Sequence, residues 1–265
     1  MIVLFDSHCH FDFDVFDADR ESVWQTCNQR GIGYLIIPGV AQQQWQVASE
    51  IANAHNNIYM AVGLHPWWIE KSLAADNIEN YLRIVAQDLQ RHIFETKCVA
   101  IGECGLDALV ETPMQLQQQV LDLHLKSAQE NSRPLIIHCR KAHNELSTQL
   151  KNYSLPQGGV IHGFSGSYEI AMRYWAMGFR LGIGGTITYE RANKTREAVK
   201  KLPLEALLLE TDAPDMPIQG KQGQRNSPDA IVDIAQTLAQ LRNVSLEKIA
   251  TQTTANSKLL FKITS

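Results

Sequence analysis

A chain of 265 residues, 45% hydrophobic and 20% charged, is long enough to bury a sizeable core in one domain. Its formal net charge of -4, from 24 Lys and Arg against 28 Asp and Glu, excludes the strong positive field of a sequence-independent duplex binder, so any anion binding has to be local. Five cysteines with no CxxC pair speak against a disulfide framework, and no apolar run approaches the roughly 20 residues that cross a bilayer.

At the start of the chain, Met1 to Phe5 is apolar, but Asp6 follows at once, with no basic leader and no small-residue cleavage site. No secretory signal is expected, and the expected compartment is the cytoplasm. Short β-rich runs then recur at Ile2 to Asp6, Tyr34 to Pro38, Ile58 to Val62, Val99 to Gly102, Leu135 to His138, Gly159 to Ile161, Phe179 to Ile183 and Ala206 to Glu210. Most are continuous apolar runs, as in strands buried on both faces, and the intervening segments read as helices. Eight such units predict a closed (β/α)8 TIM barrel, with residues 1–265 as one domain.

Among the helices, Thr112 to Glu130 spaces Leu116, Val120, Leu123 and Ala128 three or four apart, close to helical periodicity, with Pro113 early in the first turn. Ser227 and Pro228 open a helix running toward Leu241. Asp215 to Ser227, rich in Gly, Gln and Pro, reads as a long, mobile loop after the eighth strand that could cover a site.

Function in such barrels sits at the C-terminal ends of the strands. His8 and His10 follow strand one, Glu103 strand four, His138 ends strand five, His162 follows strand six and Asp212 strand eight. Residues two apart in extended chain face the same way, so His8 and His10 can reach one ion while Cys9 turns away. Imidazole and carboxylate ligands suit Zn, Mn or Fe, and four histidines with two carboxylates suffice for two ions sharing a bridging group. The plain alternative for each residue alone is a hydrogen-bonded core histidine or an ion-paired acid.

Six motifs in order, DSHCH at 6–10, GLHP at 63–66, GECGLD at 102–107, IIHCR at 136–140, IHGFSGS at 161–167 and ETDAP at 210–214, resemble the TatD family of metal-dependent DNases among the amidohydrolase-like barrels. The resemblance extends to TTANSKLLF at 253–261. It implies two divalent cations (Mg, Mn, Co or Zn), one held by His8, His10, Glu103 and Asp212, the other by Glu103, His138 and His162, with Glu103 as the bridge. It further implies that Asp212 orients an attacking water and accepts its proton, with removal of nucleotides from a DNA end as the reaction. The expected partner is DNA or another phosphodiester, with no membrane and no obligate protein partner. Ala108 stands after GECGLD where the family usually has an aromatic residue, which leaves the substrate pocket open to difference. A small-molecule ester, lactone or amide hydrolase on the same metals, and a non-catalytic metal-binding protein, are the competing readings.

Around this set, His65 reads either as a donor to a substrate phosphate or the attacking water, or as part of a structural turn beside Pro66. Trp67 and Trp68 could stack on a nucleobase or pack against the barrel. Arg140, two residues beyond His138, could clamp a phosphate or form a salt bridge. Lys141, Arg191, Lys194, Arg196, Lys221 and Arg225 collect after strands five, seven and eight, a bias that suits an anionic substrate. Asp107 and Glu210 could each hold a ligand histidine or a substrate-binding arginine. Cys9, Cys104 and Cys139 read as small buried hydrophobes, and His55, His92, His124 and His143 as ordinary surface residues.

Overall fold

The structure, a computed structural model, describes residues 2–69 and 78–264. These form eight strands: β1 (Leu4–Asp6), β2 (Ile32–Ile37), β3 (Ile58–Val62), β4 (Cys98–Asp107), β5 (Leu135–Arg140), β6 (Gly159–Ile161), β7 (Phe179–Ile183) and β8 (Leu207–Leu209). The helices between and after them are α1 (Arg20–Gln29), α2 (Gln42–Ala54), α3 (Pro66–Ile69), α4 (Ile78–His92), α5 (Met114–Asn131), α6 (His143–Leu150), α7 (Tyr168–Ala176), α8 (Asn193–Lys201), α9 (Ile231–Arg242) and α10 (Leu246–Phe261). Among the described residues no helix is long and apolar enough to cross a membrane. The chain divides into two compact units, Met1–Ile37 with Ile161–Ser265, and Pro38–Val160.

In the first unit, β1 runs parallel to β2 and β7 parallel to β8, with Asp6 opposite Leu35 and Ile183 opposite Leu209. The Ser7 N–H donates to Leu209 O at 2.9 Å, so the ends of β1 and β8 lie side by side. The C-terminal motif explains how they stay there. Asn256 on α10 is buried and donates to the carbonyls of Leu204 and Leu207 at 2.8 and 2.9 Å, while Thr254 donates to Val3 O at 2.9 Å. A helix that satisfies strand-end carbonyls in this way removes backbone acceptors that burial would otherwise leave unpaired.

In the second unit, β3, β4 and β5 pair in parallel. β4 runs to Asp107, five residues beyond the apolar run that marks it in the sequence, because its pairing continues through Cys104 opposite Ile137 to Asp107 opposite Arg140. Polar residues at 103 and 107 mask that extension. Gly105 makes the pairing possible: it sits at φ +155°, and a Cβ there would stand 2.8 Å from the His138 carbonyl carbon.

One sequence expectation needs correction. His124 is not a surface residue: it is fully buried on α5, its Nε2 accepts the Leu64 N–H at 3.0 Å and its Nδ1 donates to Val120 O at 2.7 Å. Burial pulls its pKa down to about 4, so the ring is neutral and acts as a buried hydrogen-bonding strut. The segment after β8 is a loop, and it is anchored at several points. Asn226 Nδ2 donates to Thr211 O and Asp215 O at 3.0 and 2.7 Å, Tyr189 Oη donates to Pro217 O at 2.6 Å, and Arg225 forks onto both oxygens of Asp19 at 2.9 and 2.6 Å. Between these pins, residues 219–225 are exposed.

Candidate metal-binding sites

Strand alternation sends His8 and His10 to one side at the end of β1. Both Nε2 atoms lie 3.4 Å from the same oxygen, Asp212 Oδ1. Asp212 is brought there by its own N–H, which donates to His8 O at 2.9 Å, and by a backbone turn at φ +57°, a left-handed conformation unusual for a residue with a side chain. Asp6, fully buried, locks the corner: its carboxylate accepts from the N–H groups of His8 and Thr211 and, at 2.6 Å, from the Thr211 hydroxyl. Burial pushes the Asp6 carboxyl up to about 7, against these hydrogen bonds. Burial would raise Asp212 too, but His10, His8 and His162 outweigh it and hold its carboxyl below the ordinary range.

His162, at the end of β6, stacks flat on His8 with ring centroids 3.9 Å apart. Behind it stands Glu210, fully buried, with Oε1 4.0 Å from His162 Nδ1 and accepting the Gly163 N–H. Its Oε2 meets no donor among the described residues. Burial pushes this carboxyl up to about 8, despite the pull of His162. Phe13 stacks on the outer face of His10 at 4.7 Å, a contact that nothing in the sequence motifs pointed to.

In the second unit, Glu103 and His138 meet with Glu103 Oε1 3.1 Å from His138 Nδ1, and His65 Nε2 approaches the same oxygen at 3.4 Å. His138 turns its other nitrogen to Asp107 Oδ2 at 3.1 Å. Were a cation to take Nδ1, Nε2–H would donate to Asp107, the arrangement that orients a metal-ligating imidazole. Burial works against the charge on Asp107, yet hydrogen bonds from His138 and the Leu109 N–H, with the charges of His138 and Arg140, keep its carboxyl below the usual range. His65 differs. Its Nδ1 accepts the Trp67 N–H at 3.1 Å, so the neutral ring carries its proton on Nε2 and offers a hydrogen-bond donor there instead of a lone pair. Proximity groups His65 with Glu103 and His138; the tautomer argues that it serves as a donor beside them.

The spacing of these atoms fits a cation. Donors at about 2.1 Å from a tetrahedral ion stand about 3.4 Å from one another, and closer in octahedral sites, whereas a good N–H···O bond is nearer 2.9 Å. His8, His10 and Asp212 are borderline-soft N and O donors with this separation, buried or nearly so; Glu103 and His138, at 3.1 Å, stand closer, between the octahedral spacing and the tetrahedral one. Arg140 lies exposed at the end of β5. Cys9 and Cys104 are buried, as expected of small hydrophobes; Cys139 is half-buried, its sulfur 3.2 Å from His143 Nδ1.

The model of the TatD-related DNase family matches residues 5–262. The chain is 41% identical over 259 residues to the uncharacterized metal-dependent hydrolase YjjV of Escherichia coli K12, with 97% of each chain covered. The crystal structure of that TatD homologue has a TM-score of 0.91 over 98% of both chains, and the shared fold is the (β/α)8 TIM barrel. An uncharacterized metal-dependent hydrolase of Haemophilus influenzae is 37% identical over 265 residues, 97% of this chain and 98% of that one. A TatD family hydrolase of Entamoeba histolytica, 23% identical with 97% of each chain covered, has the same fold with a TM-score of 0.83.

Proposed function

This chain belongs to the TatD-related DNase family, and we propose that within this family of metal-dependent hydrolases it cleaves phosphodiester bonds at DNA ends as a single catalytic domain. The observation that carries the reading is the pairing of imidazole and carboxylate donors at cation-like separations, His8 and His10 on Asp212 and His138 on Glu103. As the family resemblance implies, His8, His10, Glu103 and Asp212 would hold one ion and Glu103, His138 and His162 the other. Bound divalent cations supply the positive charge that acidifies water and polarises a phosphoryl oxygen. The side chains do the rest. Asp212, held ionised by the surrounding imidazoles, orients the attacking water and takes its proton. His65 Nε2–H donates to a phosphoryl oxygen, and Arg140 offers its fork to a phosphate. Five free cysteines, among the described residues, suit a reducing compartment and support a cytoplasmic enzyme.

The test strips the protein with a chelator and restores Mg, Mn, Co or Zn while following end-labelled single- and double-stranded DNA, a chromogenic phosphodiester and a lactone. Metal-restored trimming of DNA that Glu103→Gln abolishes is the expected result and identifies the effective ion. Turnover of the lactone alone would refute the phosphodiesterase reading in favour of a small-molecule hydrolase.

A further inference from the structure

We infer that Trp67, Leu109 and Arg140, set around the Asp107 carboxylate, form a nucleotide-binding subsite in which the Trp67 indole stacks on a base and Arg140 faces a phosphate. The inference rests on the phosphodiesterase reading above and adds to it the residues that hold the terminal nucleotide. Trp67 is 56% exposed and Leu109 58%, and the indole is held in place by its edge. The indole Nε1 donates to Asp107 Oδ2 at 3.3 Å, the Trp67 N–H to His65 Nδ1 at 3.1 Å, and the His65 and Trp67 rings meet edge to face at 6.0 Å. The Leu109 N–H donates to Asp107 Oδ1 at 2.8 Å. A flat apolar plate is thus pinned by its edge with its remaining surface open to solvent.

On the other flank, Arg140 is exposed and lies opposite Asp107 in the β4–β5 register. Asp107 Oδ2 also holds His138 Nε2 at 3.1 Å, so the plate and the cation both border a group that touches a metal-ligand candidate. A ligand that satisfies both features carries a planar ring and an anion a few bonds apart, which describes a nucleotide. Stacking on an indole is tolerant of base identity because every base has a π face. The subsite therefore grips the terminal nucleotide without reading sequence.

The experiment measures binding by tryptophan fluorescence and calorimetry, with thymidine 5′-monophosphate, thymidine and inorganic phosphate as probes, on the intact protein with and without added Mn. Thymidine 5′-monophosphate should quench fluorescence and bind more tightly than either fragment. Trp67→Ala should lose the quench and weaken binding about tenfold, the size of a typical base–aromatic stack. Trp67→Phe, which keeps a ring, should recover part of the affinity, and Arg140→Gln should weaken the nucleotide but not thymidine. Equal binding of nucleotide and inorganic phosphate by the wild type, or undiminished nucleotide binding by Trp67→Ala, would overturn the subsite. The two readings separate cleanly: nucleotide binding of this pattern without hydrolysis of any phosphodiester keeps the subsite and sinks the catalytic reading. Hydrolysis, with the nucleotide bound no more tightly than inorganic phosphate, does the reverse.

Discussion

Gly182→Ala tests whether the buried Glu210 carboxyl is lodged against β7. An alanine Cβ at 182 would stand 2.6 Å from the carboxyl carbon and 2.9 Å from Oε1, inside the 3.0 Å that real Cβ atoms respect. The carboxyl has little room to retreat, being fully buried with its Oε1 held by the Gly163 N–H. Either β7 shifts or the carboxyl swings away and leaves that N–H without its acceptor. Overpacking costs about 1–3 kcal/mol, and a stranded buried donor about 1–3 kcal/mol. Whichever gives way, the predicted loss is about 1–3 kcal/mol and, in a chain of this size, a fall in melting temperature of about 2–6 °C. Thermal unfolding of the metal-stripped protein measures it, alongside Glu210→Ala and the double variant. If the clash is the cause, the added methyl should cost under about 1 kcal/mol once Glu210 is truncated, because the two residues then no longer compete for the space. A Gly182→Ala protein melting within about 1 °C of wild type, or an undiminished penalty in the Glu210→Ala background, would refute the reasoning.

Asp107→Asn removes the anionic acceptor of His138 Nε2–H and should lower metal affinity about 10- to 100-fold in a chelator competition; unchanged affinity would show that Asp107 does not orient the ligand. Asn226→Ala deletes the donor shared by Thr211 O and Asp215 O and should destabilise the protein by about 1–3 kcal/mol while speeding amide exchange across residues 215–226; exchange at the wild-type rate would contradict the pinned segment. For pH, Glu210 keeps its proton in the folded metal-free protein up to about 8 but loses it near 4.5 when unfolded, so the folded state binds more protons in between. Stability of the stripped protein should be highest below pH 4.5, as far as this group is concerned, and fall as pH rises toward 8, by a few kcal/mol. Asp6, raised to about 7, adds to the same trend, so Glu210→Gln should flatten the profile above about 7 and lessen its slope below; a flat wild-type profile in urea titrations from pH 5 to 8 would count against both buried acids.

The barrel was legible because its strands are near-continuous apolar runs, and period-two alternation at DSHCH was enough to put His8 and His10 on one side. The ligand candidates could be named from strand-end position and motif order. What escaped the sequence depends on contacts between residues far apart along the chain. His124 looks like any helical histidine until the fold brings the Leu64 N–H to its ring, 60 residues away. The segment after β8 has the composition of a free loop, yet Asn226, Tyr189 and Arg225 tie it down through partners that local composition does not reveal. β4 hid its last five residues because Glu103 and Asp107 break the apolar pattern there.

Residue identity by itself therefore determined the fold class and the kinds of donor available, since hydrophobic periodicity and side-chain chemistry are local properties. Only the tertiary structure decided which groups face each histidine, which carboxyls are buried far enough to keep a proton, and that Trp67 stands open beside Asp107. Tautomer, pKa and exposure are set by neighbours, and neighbours exist only once the chain has folded.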